Sequence, residues 1–351
     1  MTSLEELCVS HHDYLNDDPD GEDWTDLDDD VVAGCIPSLA ALTGVQKLEL
    51  QDLSMGIKSS AALGAVLPRM AGLLELALHD ESIDGNFLKV LVRGLAECKR
   101  LHTLDFIRNR ISDDGLEVLI QGLPASVNEL NLEQNRITLD RELPPLRFKK
   151  LRLSCNPVSP AGPGVIAASL ANQECRLERL DISYSTVTNI GDEDAAILAT
   201  SLRNNRRLTR MNLPRDIIIT ELGWDAFRTV LCDTASIYAT HASNHTLQDL
   251  GAYWTIPKDI RTMLHLNCEE DKSHVAATKI LQSHRHLDMR PLFEMNLDLL
   301  PRVVVWLDRF AESRLDLKLS SIFEFARAMP MDVIDGVTGK KKGKKRRLNN
   351  A

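Results

Sequence analysis

The chain has 351 residues, 44% hydrophobic and only 5% aromatic, with a formal net charge of -10 at pH 7. That balance argues against general affinity for nucleic acid, and no uncharged run reaches the ~20 residues of a membrane span. Seven cysteines (8, 35, 98, 155, 175, 232 and 268) form no C-x-x-C pair, and the N-terminus has neither the basic start nor the apolar core of a secretory signal. Together these read as an intracellular protein with reduced thiols.

Residues 1–30 carry twelve acidic residues and no Lys or Arg, so residues 1–24 are expected to be a disordered, solvated arm. From Thr25 to Leu42 the apolar residues Leu27, Val31, Val32, Ile36, Leu39 and Leu42 have helical spacing. This stretch predicts a half-repeat that closes the N-terminal end of a stack. Alternating segments then recur: VQKLEL at Val45, LLELAL at Leu73, LHTLDF at Leu101, VNELNL at Val127, FKKLRL at Phe148, LERLDI at Leu177 and LTRMNL at Leu208. A degraded copy, LQDL, begins at Leu247, giving intervals of 28, 28, 26, 21, 29, 31 and 39 residues.

The best copy is Leu101 to Leu123. Its first half alternates and turns at Asn109, and its second half, from Gly115, has the apolar spacing of a short helix. One strand-turn-helix unit cannot bury its apolar edge alone and needs copies on either side. The pattern L-x-x-L-x-L-x-x-N at this period is the leucine-rich repeat. It predicts an α/β solenoid over residues 25–255, with a parallel sheet on the concave side and helices on the convex side.

The repeat starting at Val127 is different. Pro144 and Pro145 cannot sit inside a helix, so its return is expected to be extended or 3₁₀. After Leu231 the period fails, and residues 232–254 read as an irregular insertion leading into a last strand. Helical spacing in Ile256–Leu266, Lys272–Gln282, Leu292–Glu312 and Leu315–Ala328 predicts a helical C-terminal cap over residues 256–330. Residues 331–351 read as a basic, structureless tail.

Strand alternation aims the residues between the leucines outward. On the concave face Glu49, Glu75, Asp105, Glu129 and Glu133 precede Lys150, Arg152, Arg179 and Arg210, with Asn131, Asp181 and Asn212 in the central column. The sign of charge switches between the repeats at Val127 and Phe148. This predicts a two-signed face that orients a protein partner by charge, with Ile107 and Tyr184 as apolar contacts. In the tail, Lys340, Lys341, Lys342, Lys344, Lys345, Arg346 and Arg347 form a cluster of the kind used for nuclear import, nucleic acid or anionic lipid. No other nucleic-acid contact and no small-molecule substrate is expected. The pairs His241/His245 and His284/His286 lack further metal ligands, and no phosphate loop, dinucleotide fingerprint or nucleophilic triad is legible. No catalytic residue, metal or cofactor is therefore predicted.

Strand, turn Asn, Gly and helix in this order resemble the ribonuclease-inhibitor class of leucine-rich repeats, best at Leu101–Leu123 and again at Leu177–Leu202. The class also occurs in Ran GTPase-activating proteins and NOD-like receptors. The cap segments SNHTLQDL, LQSHRHLDMRPLFE, LPRVVVWLDR and LSSIFEFARAMP resemble those of short members from microalgae. The resemblance implies an intracellular protein-binding scaffold, cytoplasmic or nuclear, and carries no catalytic residue. GTPase activation and ubiquitin-ligase adaptor function stand as alternatives, although the arm is too acidic and short to hold an F-box.

Overall fold

A computed structural model describes residues 4–10, 28–79, 82–184, 190–214, 218–251 and 256–284. It divides into two compact units: Met1–Leu231 with Thr246–Cys268, and Cys232–His245 with Glu269–Ala351. The expected helices beyond residue 284 and the basic tail lie outside the described residues, as do residues 11–27 of the acidic arm.

The first unit holds one eight-stranded parallel sheet in chain order: β1 (Glu6–Ser10), β2 (Lys47–Gln51), β3 (Glu75–His79), β4 (Thr103–Asp105), β5 (Glu129–Asn131), β6 (Lys150–Arg152), β7 (Arg179–Asp181) and β8 (Arg210–Asn212). Leu48, Leu76, Leu104, Leu130, Leu151, Leu180 and Met211 stand in register across seven strands. All seven are buried and form the spine of the core. Each repeat covers its neighbour's apolar edge, which is why none could fold alone.

Helices return the chain from one strand to the next: α1 (Asp29–Cys35), α2 (Ile57–Val66), α3 (Gly85–Leu95), α4 (Asp113–Gly122), α5 (Gly162–Ala171), α6 (Asp192–Leu202) and α7 (Glu221–Leu231). Between β5 and β6 there is none, and the chain crosses residues 132–149 in extended and bent form. A small apolar cavity lined by Leu143, Leu146, Leu151, Ile166 and Leu170 lies there.

Two devices lock successive repeats. The first is an asparagine ladder at the strand ends. Asn109, Asn135 and Asn156 are buried, and their amides donate to Leu78 O, Phe106 O and Leu132 O of the repeat before, each at 2.8 Å. Their oxygens accept from Ile83 N, Ile111 N and Ile137 N. The turn that aims them puts Arg108, Gln134 and Cys155 at φ of 58°, 55° and 57°. That left-handed backbone is strained for residues other than Gly, and paired buried polar groups offset it.

The second device is an aspartate in a helix's first turn that caps the following repeat. Asp29 accepts from Gly56 N, Lys58 N and Ser59 N. Asp113 accepts from Thr138 N, Leu139 N and Asp140 N, and Asp192 accepts from Thr220 N and Gly223 N. All three carboxyls titrate below their ordinary value. For Asp29 and Asp113 burial pushes upward, and the hydrogen bonds together outweigh it. For Asp192 the Thr220 hydroxyl is the largest cause.

Three expectations change. Residues 6–10 do not belong to a disordered arm: they form β1, paired with β2 from Glu6↔Lys47 to Ser10↔Gln51. Leu7 packs against the core, and Leu7 and Val9 register with the core-facing Leu48 and Leu50 of β2. The half-repeat at Thr25–Leu42 therefore has its own strand. Second, the expected last strand at Leu247 is a single bridge, Arg210↔Asp249. Third, the boundary at 255 falls elsewhere. Helix α9 (Lys258–Leu266) continues the first unit, packed on α7 and tied by Asp259 to Arg228 of α7, which also pairs with Glu221 and Asp225 of its own helix.

The second unit contains α8 (Ile237–Ala242) and α10 (Lys272–Ser283). Thus the supposed irregular insertion carries a helix. Thr240 Oγ1 lies 2.7 Å from His284 Nε2, and Lys279, only 1% exposed, donates to Asn244 O.

Candidate functional site: the outward face of the sheet

The register sets the outward columns. One runs Lys47, Glu75, Thr103, Glu129, Lys150, Arg179, Arg210, and the next runs Glu49, Ala77, Asp105, Asn131, Arg152, Asp181, Asn212. Parallel strands stand about 4.8 Å apart, so residues adjacent in a column touch or repel directly.

In the acidic part, β2 to β5, the charges at the centre of the face are tied to one another. Lys47 Nζ lies 3.3 Å from Glu49 Oε2, and the Gln51 amide also reaches Glu49. His79 stands between two carboxylates, with Nε2 3.1 Å from Asp105 Oδ1 and Nδ1 3.9 Å from Glu49 Oε1. The hydrogen bond to Asp105 raises the His79 pKa most; burial opposes it, and the charges of Asp105, Glu49 and Asp52 add to it. Asn131 donates to Asp105 Oδ2 at 3.1 Å. Asn131 is only 6% exposed, so this residue, expected to touch a partner, instead holds Asp105 in place. Ala77, on the other side of Asp105 in register, is buried too. Glu75 is exposed and Glu133 half-buried. Neither side chain has a hydrogen-bond or ion-pair partner among the described residues.

In the basic part, β6 to β8, Lys150, Arg179 and Arg210 are direct neighbours in register. Like charges placed opposite one another on a sheet destabilise it. Anions relieve the two ends: Glu129 pairs with Lys150, and Asp249 pairs with Arg210 at 3.1 Å. Arg179 in the middle has no such partner among the described residues, nor has Arg152, and both are exposed. Asp181 does not serve them. Its Oδ1 accepts from the Ser183 amide and hydroxyl, at 2.9 and 2.6 Å, and its Oδ2 accepts from Asn212 at 2.9 Å.

Of the expected apolar contacts, Ile107 is half-buried and Tyr184, at φ 55°, is 48% exposed. They flank the sheet at the ends of β4 and β7. His79 was missed as a site residue. Its signal was available: it follows the acidic column and falls between Glu49 and Asp105 once the repeats are aligned. Among the described residues no cluster of three His, Cys, Asp or Glu is placed to hold a metal. All seven cysteines are free, and burial pushes the Cys98 thiol up to about 11. No described helix is long and apolar enough to cross a membrane.

The ladder, the parallel register and the helical returns decide the class. These are ribonuclease-inhibitor-like leucine-rich repeats. The chain is 26% identical over 166 residues to ribonuclease inhibitor from Sus scrofa, a match covering 44% of this chain and 36% of that protein. It is 31% identical over 96 residues to leucine-rich repeat-containing protein 45 from Gallus gallus, covering 27% of this chain and 14% of that protein. The matches thus span about a third and a seventh of those relatives. Solved structures with likeness include an internalin from Listeria monocytogenes (18% identity, TM-score 0.29, 55% of this chain and 68% of that one). Another is TLR13 in complex with ssRNA13 (14% identity, TM-score 0.38, 64% and 30%). No sequence-family profile matches the chain.

Proposed function

We propose that this leucine-rich repeat chain is an intracellular protein-binding scaffold, not an enzyme, and that its partner lies across the outward face of the sheet from β3 to β8. The observation that carries this reading is the order of charge in register: Glu75, Asp105, Glu129 and Glu133 on one side, Lys150, Arg152, Arg179 and Arg210 on the other. The partner's basic end faces the first set and its acidic end the second. Ile107 and Tyr184 supply apolar contact. The name of the pig relative, an inhibitor of a protein, is consistent with recognition of another protein. Charge complementarity mainly speeds and orients association, so the complex weakens with salt over a Debye length of about 8–10 Å.

Affinity capture from a native lysate tests this. The wild-type chain is compared with Arg152→Glu/Arg179→Glu and with a control altered on a helical face, Lys89→Glu. Loss of the same partners from the double variant alone is expected. Equal recovery by all three would overturn the reading. The basic cluster Lys340–Arg347 is proposed as a nuclear import signal. A reporter fused to residues 338–351 should then accumulate in the nucleus, and an even distribution would exclude that role.

A further inference from the structure

The two arginines left without an anion share a geometry that defines a ligand. Arg179 registers with Lys150, and Arg152 registers with Asp181. Arg152 and Arg179 are therefore diagonal neighbours on β6 and β7, about 7–8 Å apart at the backbone. Asp181, the nearest carboxylate in register, already accepts three hydrogen bonds from Ser183 and Asn212. Lys150 and Arg210 are held by Glu129 and Asp249. Two exposed guanidinium groups thus stand beside carboxylates engaged elsewhere, Glu133 just past β5 excepted, and Glu133 forms no ion pair with either arginine among the described residues. Guanidinium is a planar fork that takes a carboxylate through two parallel hydrogen bonds.

An extended peptide puts side chains i and i+2 on the same face about 7 Å apart, the same spacing as the diagonal. We infer that Arg152 and Arg179 form a subsite for an extended acidic-x-acidic segment of a protein partner, one carboxylate to each guanidinium. Carboxylate fits better than phosphate. Glu129, Asp181 and Asp249 lie around the site, and their field penalises a dianion more than a monoanion. A nucleic-acid backbone crossing the same sheet would meet Glu129, Asp105 and Glu49 as well. The inference rests on the outward face being the binding surface.

The test is a titration of the full chain with a Gly/Ser peptide carrying one Glu-Ser-Glu motif. It is followed by the Nε–Hε resonances of Arg152 and Arg179, assigned through Arg152→Gln and Arg179→Gln. Both substitutions are at exposed positions, and melting curves verify that they fold. Both resonances should shift together and saturate with one Kd. Either substitution should weaken binding about tenfold, the loss of one charge-assisted contact. A peptide with the two glutamates adjacent, on opposite faces, should bind about tenfold more weakly than the spaced one. Equal binding of the two peptides, no shift at either arginine, or binding only of a phosphoserine version would overturn the assignment. Capture of native partners is scored separately. Peptide silence with capture still lost in the double variant sinks the subsite but keeps the binding face. Peptide binding with capture unchanged does the reverse.

Discussion

The acidic and basic parts of the sheet occupy equivalent positions in equivalent repeats, yet they dispose of their charge differently. From β2 to β5 the central carboxylates are bound up internally, Glu49 by Lys47 and Asp105 by His79 and Asn131, while Glu75 and Glu133 stand open. From β6 to β8 the anions hold only the two ends of the cationic row, and Arg152 and Arg179 stand open. Charge counted along the sequence therefore overstates what either part offers: the open charges are Glu75 and Glu133 in one, Arg152 and Arg179 in the other. On the proposed reading, an acidic ligand meets Arg152 and Arg179 unpaired, whereas a cation at Asp105 must displace His79 or Asn131 and meets open carboxylates only at Glu75 and Glu133.

The largest expected effect tests whether both parts share one core. Leu104 and Leu151 lie in the same buried row, one in each part. Leu104→Asp and Leu151→Asp should each cost about 4 kcal/mol, because a charge is left buried and unpaired. Thermal melts followed by circular dichroism should show a single lowered transition for either variant. Separate transitions would split the sheet into two cooperative units.

Next comes the helical backing. Behind the acidic part, α2 and α3 meet backbone to backbone: a Cβ at Gly94 would fall 2.1 Å from Gly64 O. Gly94→Ala should cost about 2 kcal/mol through overpacking. Behind the basic part, a Cβ at Gly164 in α5 meets nothing within 4 Å. Gly164→Ala should leave stability unchanged or raise it by up to about 1 kcal/mol. Equal losses in denaturant titrations of the two variants would show that the helices do not differ in closeness of approach.

The aspartate clamp is of similar size. Asp113→Asn should cost about 2 kcal/mol near neutral pH, from weakened charge-assisted hydrogen bonds to the next repeat. The folded pKa of Asp113 is depressed, so the wild-type advantage is full above about pH 4. It is lost as pH falls through the folded value. A stability difference that stays constant on acidification would remove the carboxylate from the account.

His79 should give the smallest change and the opposite pH sign. Its folded pKa is raised, so its stabilisation over His79→Gln is present below about pH 6.5 and fades as pH rises through the folded value. Melting temperatures across that window measure it. A flat difference would show that the bridge between Glu49 and Asp105 carries no proton-linked stability.

Much of the architecture was legible because a leucine-rich repeat is a local code. Leu101, Leu104, Phe106, Asn109 and Ile111 each name their own place, and all five are buried as the pattern requires. Pro144 and Pro145 announced the missing helix. The strand at Glu6–Ser10 escaped notice because a short edge strand needs little apolar sequence and the surrounding acids dominate composition. Leu247 misled in the other direction: LQDL has the leucines of a strand, but it forms a single bridge, Arg210↔Asp249, rather than a strand.

The sequence by itself determined the period, the parallel order, the outward columns and the switch of sign along them. Each follows from alternation within one repeat and the need of every repeat for a neighbour. Only the tertiary structure decided which charges are spent. Most pairing between strands joins residues far apart in the chain, such as Lys150 with Glu129, Asn212 with Asp181 or Arg210 with Asp249. That choice depends on side-chain reach and geometry, which the repeat pattern leaves unspecified. It turned Asn131 from a candidate contact into a buried support for Asp105, made His79 a bridge, and left Arg152 and Arg179 open.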